Sequence, residues 1–566
     1  MRFRNSKRAG RIAACTALAL SAGMILAGPA SADEPAPTPA AKQVERSFAP
    51  PQLTHPKQGT TRAGAAAAGT ASSLPLSDLD GDGADDLIYR AIDGELYSTA
   101  PLAEEEFFDL YRFEDVATEI IPIGNQGGDT AEPEVLVLSE NGTLKLYTDV
   151  GPTGTPYEST VGGGWQVYNK IVSPGDVNND GRADVVARAK DGRLYLYLAT
   201  GDLDRPLGGR ISVGGGWNAY DQLVGAGDVT GDGRADLYGR DRSGSLFFYS
   251  GTGSTAAPFA GKKLIGGGWG AYNQITNFGQ GVLLARTNDG TFYTYVTSSN
   301  GTLAGRQQLG NPGDGLGIVQ FSGGGGNPYT GKDTLVGRTG AGTLKGYFAD
   351  TTGKLIAAGD LSDPGEYADS SFTNTSSFNS DSYSDIADVW SDGSLWIDYS
   401  PIGSGWGVYN ALVGPGDLSG DGKADLLARD RSGVLYLYRG NGKGDAFATR
   451  IRVGGGWGGF NKLLGAGDYT GDGRADLLAR TTGGELFLYP GSGNANTPFT
   501  TRISVGLGWN TYKHLTAPGD LNADGKADIL GVTSAGDLYR YLNTTPGKFA
   551  GRSKIGNGYG IYNSMS

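Results

Sequence analysis

Oxygen-bearing side chains recur at one fixed spacing in six short segments of the chain. In residues 228–236, DVTGDGRAD, the acidic or hydroxyl side chains of Asp228, Thr230, Asp232 and Asp236 occupy positions 1, 3, 5 and 9, and Gly233 occupies position 6. In a tight loop, side chains at positions 1, 3 and 5 converge on one point, and a carbonyl at position 7 and an acid at position 9 can complete an oxygen shell. The spacing therefore predicts a Ca²⁺ site. Mg²⁺ fits less well because it prefers strict octahedral geometry and retained water.

The other five copies keep this spacing, and every third position bears an oxygen atom. They comprise Asp78, Asp80, Asp82 and Asp86; Asp176, Asn178, Asp180 and Asp184; Asp417, Ser419, Asp421 and Asp425; Asp468, Thr470, Asp472 and Asp476; and Asp520, Asn522, Asp524 and Asp528. An EF-hand is excluded because flanking helices and a Glu at position 12 are absent from the sequence pattern. A solvated acidic turn is the alternative, since Asp and Gly favour turns. Six copies at one spacing favour calcium in a structural role, because unneutralised carboxylates would repel one another.

A second repeated segment places an aromatic residue after a glycine run, as in GGGWNAYD at residues 214–221. Glycines allow another backbone or a ligand to approach closely, and an indole offers a flat apolar face with one donor. Such residues could stack on a sugar ring and bind its hydroxyl groups. Alternatively, each Trp fills the seam between repeats with the Tyr packed beneath it. The candidate ligand-binding residues are Trp165, Tyr168, Trp217, Tyr220, Trp269, Tyr272, Trp406, Tyr409, Trp457, Trp509 and Tyr512.

The elements that must position these side chains are short strands in a repeated unit. Weaker copies of the acidic loop end near Glu134, Val282, Thr334 and Asp385, which makes ten units spaced by 40 to 52 residues. Each loop is followed by alternating stretches such as ADVVARA and RLYLYLA, separated by a glycine-containing turn. That pattern is typical of antiparallel hairpins. The repeats therefore predict an all-β protein, a β-propeller of about ten blades.

The chain ends suggest how the blades close. The first unit begins at its acidic loop, whereas the chain ends on IGNGYGIYNSMS without a following loop, so that a late strand could complete an early blade. We predict two tandem five-bladed rings, residues 73–322 and 323–566, joined near residues 310–332. One larger ring is the alternative.

The N-terminus reads as an export signal. Five basic residues precede a 16-residue apolar run and the small residues GPASA, which predicts a signal peptide over residues 1–32 with cleavage after Ala32. Residues 33–72 are rich in Pro and Ala and are predicted to be a disordered spacer. Cleavage would remove Cys15, the only cysteine. We therefore expect a secreted, extracellular protein stabilised by metal and not by disulfides.

Composition and histidine content argue against several classes of function. The net charge of −13 argues against a nucleic-acid binder, and no segment suggests membrane insertion. The only histidines are His55, in the predicted spacer, and His514, so that neither a Ser-His-Asp triad nor a zinc cluster is expected. Paired carboxylates could serve a glycosidase, but the metal loops account for the repeated acids. We expect a binding protein and no catalytic residues.

The run DVNNDGRADVVARAKDGRLYLY at residues 176–197 resembles the FG-GAP (VCBS, integrin-type) repeat. The resemblance covers about residues 78–540, departs at 129–135, 277–283, 323–334 and 377–385, and implies a β-propeller with calcium in its loops. The Gly-Trp segments partly resemble tachylectin-like and integrin-like propeller lectins, which implies binding of extracellular or cell-wall glycans. A protein–protein adhesion scaffold and, less favoured, a secreted hydrolase are the alternatives.

Overall fold

The structure is a computed structural model that describes residues 48–51, 53, 75–92, 96–100, 117–128, 130–139, 141–151, 157–323, 334–379, 383–398, 400–465 and 467–566. The predicted signal peptide, most of the predicted spacer and His55 lie outside these residues.

The first half of the chain forms five antiparallel sheets. Sheet 1 contains β1 (Ile88–Ala91), β2 (Leu96–Ser98) and β19 (Ile318–Phe321); sheet 2 contains β3 (Ala117–Pro122), β4 (Val135–Ser139), β5 (Leu144–Thr148) and β6 (Tyr157–Gly162); sheet 3 contains β7 (Tyr168–Gly175), β8 (Asp184–Ala189), β9 (Leu194–Tyr197) and β10 (Ile211–Gly214); sheet 4 contains β11 (Tyr220–Gly227), β12 (Asp236–Asp241), β13 (Leu246–Gly251) and β14 (Phe259–Gly266); and sheet 5 contains β15 (Tyr272–Asn277), β16 (Val282–Thr287), β17 (Phe292–Thr297) and β18 (Leu303–Leu309).

The second half repeats this arrangement. Sheet 6 contains β20 (Thr334–Thr339), β21 (Leu344–Ala349), β22 (Leu355–Asp360) and β41 (Tyr562–Met565); sheet 7 contains β23 (Ser371–Asn374), β24 (Ile386–Val389), β25 (Leu395–Ile397) and β26 (Ser400–Gly403); sheet 8 contains β27 (Tyr409–Gly416), β28 (Asp425–Asp430), β29 (Leu435–Arg439) and β30 (Ile451–Gly454); sheet 9 contains β31 (Phe460–Gly465), β32 (Leu477–Thr481), β33 (Leu486–Tyr489) and β34 (Ile503–Gly506); and sheet 10 contains β35 (Tyr512–Gly519), β36 (Asp528–Thr533), β37 (Leu538–Tyr541) and β40 (Ser553–Gly556). A small hairpin, β38 (Asn543–Thr545) and β39 (Lys548–Phe549), lies between β37 and β40 in the sequence.

The strands form where the sequence alternates, and their buried faces make the core between neighbouring sheets. In β9, Leu194 and Leu196 are buried, whereas Tyr195 and Tyr197 are half-buried. The same cluster contains Leu223 of the next sheet, so apolar side chains fill the gap from sheet to sheet. Burial of these side chains is the main source of stability for such strands. The predicted all-β propeller fold is confirmed.

Two pairings join late strands to early ones. Strand β19 pairs with β1, with Tyr89 opposite Phe321, and β41 pairs with β20, with Gly337 opposite Met565. The first strands of sheets 2 to 5 contact one another in succession, and sheet 1 meets sheet 2 where the Gly323 N–H donates to the Ile120 carbonyl over 2.9 Å. Both pairings are what two five-bladed rings require; the number of rings stays a prediction.

Candidate functional site: acidic loops and tryptophan turns

Five of the six acidic loops connect the first and second strands of their sheets, and the loop at residues 78–86 precedes β1. In each loop, the aspartate at position 1 accepts the backbone N–H of position 6. In residues 228–236, Asp228 Oδ1 accepts the N–H groups of Gly231 at 2.7 Å and Asp232 at 3.0 Å, and Asp228 Oδ2 accepts that of Gly233 at 2.8 Å. Gly233 has φ of +81°, a conformation that favours glycine. All six glycines at position 6 share this left-handed φ, which confirms the predicted turn.

The aspartate at position 9 ties its loop to the body of the sheet. Asp236 is fully buried; its Oδ2 accepts the N–H groups of Val229 and Thr230 at 2.9 Å, and its Oδ1 accepts that of Gly251 at 2.7 Å. The same bond to a residue 15 positions later recurs from Asp184, Asp425, Asp476 and Asp528. These carboxylates therefore support the fold whether or not they also contact a cation.

The donor set fits a hard divalent cation. In the first loop, one ligand oxygen from each of Asp78, Asp80 and Asp86 lies within 4.8 Å of the others, and Asp78 Oδ1 is buried without a hydrogen-bond partner among the described residues. Asn522 Oδ1, at position 3 of the last loop, is likewise buried and unpartnered. Every side chain at positions 1, 3, 5 and 9 offers oxygen, which Ca²⁺ prefers. Positions 1, 3, 5 and 9 of the six loops would hold the ion.

Burial shapes the electrostatics of these loops. Desolvation, assisted by repulsion from neighbouring aspartates, raises the pKa of Asp86, Asp184 and Asp236 to about 6 and that of Asp425 to about 8. At position 1, burial and the charge of Asp524 raise the pKa of Asp520 to about 7. A bound cation would favour the charged carboxylates and oppose this effect.

Two of the four weaker copies retain the acid that ties the loop. Glu134 accepts the Gln126 N–H, and burial raises its pKa to about 7. Asp385 accepts the Phe378 N–H at 2.6 Å. Val282 and Thr334 supply no carboxylate at this position. The six loops with the full oxygen pattern thus differ from the copies at Glu134 and Asp385, which keep only the supporting acid at position 9.

Each Gly-Trp segment forms a short 3-10 turn that joins one sheet to the next. In sheet 4, Gly216 has φ of +89°, the turn covers Trp217–Ala219, and the Trp217 N–H donates to the Gly192 carbonyl at 3.0 Å. The corresponding tryptophans donate in the same way to hairpin glycines of the preceding sheet at 2.9 to 3.0 Å. We call these six segments, which begin at Trp165, Trp217, Trp269, Trp406, Trp457 and Trp509, the tryptophan turns.

The faces of these indoles pack inside the protein. Each Trp lies 4.7 to 5.1 Å, between ring centroids, from a tyrosine on the third strand of the following sheet, as Trp217 does from Tyr249. Four of the six are only 7 to 8 % exposed, and Trp165 and Trp217 are half-buried. Stacking of a sugar on an open indole face is therefore restricted. The indole edge is different: no acceptor in the described residues takes its N–H, and none of these six nitrogen atoms is fully buried.

The tyrosines predicted beside the tryptophans join the same clusters. Tyr168 and Tyr197 share a hydroxyl–hydroxyl hydrogen bond of 2.5 Å, as do Tyr512 and Tyr541. Tyr220, Tyr272 and Tyr409 make the equivalent pairs with Tyr249, Tyr295 and Tyr438. Phe460 replaces the tyrosine in the turn of Trp457 and packs 5.6 Å from that indole.

A repeated arginine, which the sequence analysis missed, links adjacent sheets. Arg188 is buried; its Nε donates to Asn169 Oδ1 at 2.9 Å, and its Nη1 donates to the carbonyls of Trp217 at 3.0 Å and Tyr220 at 2.5 Å. Equivalent bonds are made by Arg240, Arg286, Arg338, Arg429 and Arg480. The signal was an Arg four residues after position 9. These hydrogen bonds show that the backbone of each turn links two adjacent sheets.

A second missed feature is a cation above an aromatic ring beside every tryptophan turn. Arg306 Cζ lies 3.7 Å from the centroid of Tyr293, and Arg306 Nε donates to the Tyr272 hydroxyl at 3.0 Å. The others are Arg210 on Tyr195, Lys262 on Phe247, Arg450 on Tyr436, Arg502 on Phe487 and Arg552 on Tyr539, at 4.0 to 4.9 Å. We call these six residues the turn cations. The sequence signal was a basic residue seven positions before the Trp, or Tyr559, of the next repeat in five of the six cases; Arg306 is the exception.

Two acidic loops of the second half accept hydrogen bonds from side chains of the first half. Asn169 Nδ2 donates to the Asp472 carbonyl at 2.8 Å, Arg242 Nη2 to the Gly471 carbonyl at 3.2 Å, and Asn273 Nδ2 to the Asn522 carbonyl at 2.8 Å. A cavity of about 150 Å³ in this contact is lined by residues that include Glu119, Lys190, Asp417, Asp468 and Arg474. Predicted metal ligands therefore also hold the two halves together.

His514, the one histidine among the described residues, lies against a backbone carbonyl. His514 Nε2 lies 3.1 Å from the Tyr562 carbonyl, and burial lowers the pKa of this histidine. No described stretch forms a helix with the length and hydropathy of a membrane span.

Comparisons with known proteins agree with the repeat pattern. The model of the FG-GAP-like repeat matches residues 176–239, 417–479 and 468–531, which contain five of the six complete acidic loops. A comparison with curated protein sequences finds no match.

Solved structures with similar chains include two lectins and a yeast protein. An Agrocybe aegerita lectin described as recognising non-reducing terminal N-acetylglucosamine is 16% identical, with 79% of this chain and 98% of that chain covered and a TM-score of 0.25. The BP39L lectin of Burkholderia pseudomallei is 12% identical, with 78% and 100% covered and a TM-score of 0.23. Saccharomyces cerevisiae Sqt1 is 10% identical, with 80% and 88% covered and a TM-score of 0.20. At these values the likeness says nothing about the ligand of this chain. The matched residues carry FG-GAP-like repeats, and the repeated four-stranded antiparallel sheets show a β-propeller fold.

Proposed function

We propose that this chain is a secreted, calcium-stabilised binding protein that recognises extracellular or cell-wall glycans at its tryptophan turns. The observation that carries the proposal is the indole N–H, a surface donor without an internal acceptor that recurs at six equivalent places. Hydroxyl groups of a sugar are suitable acceptors for such a donor. Six equal sites on one chain would give avidity for a polymer or a cell surface.

The glycine run supports access to that donor. No heavy atom lies within 4 Å of the position that a Cβ on Gly215 or Gly216 would take. Gly215 has no left-handed φ, and the equivalent position is occupied by Leu507 in another turn, where this leucine is 78% exposed. Internal packing therefore does not demand glycine at position 215. Its open backbone is available to a ligand.

Calcium and secretion are parts of the same proposal. The oxygen pattern and the buried, unpartnered Asp78 Oδ1 and Asn522 Oδ1 support calcium, and the basic and apolar N-terminal sequence supports export. N-terminal sequencing of protein recovered from the medium should begin at Asp33. Retention of the full chain inside cells would contradict secretion.

The binding test starts with the calcium-loaded chain on an array of extracellular and cell-wall glycans. Calorimetric titration with the strongest glycan then counts the sites. Replacing Trp165, Trp217 and Trp269 with Phe keeps an aromatic ring against each tyrosine but removes the N–H, so the number of sites should fall by half. Trp390→Phe is the matched control, because Trp390 lies outside the six turns and packs on Tyr367. Absence of binding across the array would overturn the proposal.

A further inference from the structure

The turn cations occupy one register position in six sheets. In sheet 5, Gln307 pairs with Thr294 and Gln308 with Tyr293, which places Arg306 opposite Tyr295, the tyrosine that packs on Trp269. In sheet 8, Leu437 pairs with Ile451, which places Arg450 opposite Tyr438 in the same way. All six cations are exposed. Each one accompanies a tryptophan turn.

These cations are held in place but are not neutralised. Arg306, Arg450 and Arg502 each donate one hydrogen bond to a tyrosine hydroxyl, at 3.0, 2.6 and 3.2 Å, which leaves the other guanidinium donors free for a ligand. Within the described residues, none of the six turn cations forms a salt bridge. An aromatic face below the cation fixes its orientation and favours its charged form.

Sheets 2 and 6, which no tryptophan turn precedes, differ from the six sheets that carry turn cations. In sheet 2, Glu158 pairs with Tyr147 at the register position of a turn cation, and it binds Lys145 at 2.7 Å. In sheet 6, Lys345 takes the place of the ring and forms an ion pair with Asp360. Both sheets neutralise their lysine with an acid. At this register position, the described residues thus carry an unpaired positive charge only in the sheets whose third-strand tyrosine packs on a Trp, in a chain whose net charge is −13.

We propose that the turn cations bind the anionic groups of an acidic glycan, so that each tryptophan turn reads a sugar hydroxyl through the indole N–H and a neighbouring carboxylate or sulfate through Arg or Lys. This inference rests on the proposed function and specifies the class of glycan. Guanidinium groups form paired hydrogen bonds with carboxylates and with sulfates. Because the ring below each cation already fixes its orientation, the entropic cost of binding is lower. Repetition at six seams suits a polymer with regularly spaced charges.

The test compares an anionic and a neutral form of the same polymer. Calcium-saturated full-length protein is titrated with galacturonate oligosaccharides, with dextran sulfate and with uncharged dextran of equal length. The carboxylate and sulfate arms identify which anion is preferred. We expect at least one anionic form to bind ten times more tightly than dextran, with affinity that falls as salt is raised.

Variants assign this binding to the turn cations. Arg210→Gln/Lys262→Gln/Arg306→Gln should weaken anionic binding at least fivefold and reduce its salt dependence, whereas Arg205→Gln, at an exposed arginine away from the rings, should not. If the triple variant fails to fold, as judged by its melting curve, Arg306→Gln alone should lower the number of anionic sites by one. Glycan binding that depends on Trp but is equal for charged and neutral forms would overturn this inference and leave the proposed function intact. Lack of binding to either form, and across the glycan array, would overturn both.

Discussion

Asn273 Nδ2 donates to the carbonyl oxygen of Asn522 at 2.8 Å, which joins the first strand of sheet 5 to the acidic loop of sheet 10 across 249 residues of sequence. Asn273 lies in the segment that follows Trp269, and Asn522 is position 3 of a predicted calcium loop. An acidic loop in the second half of the chain therefore contacts the segment that follows a tryptophan turn in the first half.

This contact predicts that calcium stabilises the junction between the two halves. Removing calcium should loosen the loop at residues 520–528 and, through Asn522, raise hydrogen exchange in β15, Tyr272–Asn277. Strand β23, Ser371–Asn374, is the matched control, because it leads into the incomplete copy at Asp385 and its side-chain hydrogen bonds in the described residues reach Leu412 and Thr334, outside the complete acidic loops. Mass-spectrometric hydrogen exchange with and without EDTA checks this. Equal changes in the two strands would contradict it.

The stabilising effect of calcium should depend on pH. Burial raises the pKa of Asp184 and Asp236 to about 6 in the metal-free fold, against about 4 for an unfolded aspartate. A raised pKa contributes stability that is present below pH 4 and is lost as the pH rises through 6. The metal-free protein therefore loses stability between pH 4 and 8 on account of these groups, and calcium should offset that loss. We expect the calcium-induced rise in Tm to be larger at pH 8 than at pH 5; equal rises would argue against the prediction.

Two aspartates of one loop should respond differently to neutralisation. Asp236→Asn disturbs three backbone N–H bonds inside the protein and should lower the free energy of unfolding by about 3 kcal/mol even in EDTA. Asp232→Asn changes an exposed side chain at position 5, and we expect it to weaken calcium binding with little effect in EDTA. Urea denaturation with and without calcium separates the two. A larger loss from Asp232→Asn in EDTA would refute this division.

The repeated arginine should matter more to stability than its exposed neighbours. Arg188→Met leaves the oxygen atoms of Asn169, Trp217 and Tyr220 without this donor and should lower the free energy of unfolding by about 3 kcal/mol. Arg193→Met, at an exposed arginine of the adjacent hairpin, should change it by about 0.5 kcal/mol or less. Thermal melts of the two variants provide the comparison, and similar melting temperatures would count against a linking role.

The sequence predicted those features whose partners lie close together along the chain. The acidic loops are nine residues long, and the spacing of their glycines and acids predicts the turn without knowledge of the fold. Alternation of Leu and Tyr likewise revealed strands such as β9. The predicted blade repeats followed from these two signals.

Features that depend on register or on contacts between sheets were not predicted. Arg306 and Tyr293 lie on different strands, and only the pairing of β17 with β18 brings them together. Arg188 reaches the carbonyl of Trp217 in the next sheet. The burial of the indole faces also required the third-strand tyrosine, so the sequence could not decide between a stacking surface and a packed seam.

The most direct test of the account is the number of calcium ions bound by the purified chain. Each complete acidic loop is expected to bind one ion, and the copies at Glu134, Val282, Thr334 and Asp385 are expected to bind none. Calorimetric titration of EDTA-treated protein, with elemental analysis of the loaded form, should give six calcium ions per chain and a higher Tm. A chain that binds no calcium at millimolar concentration, with an unchanged Tm, would contradict it.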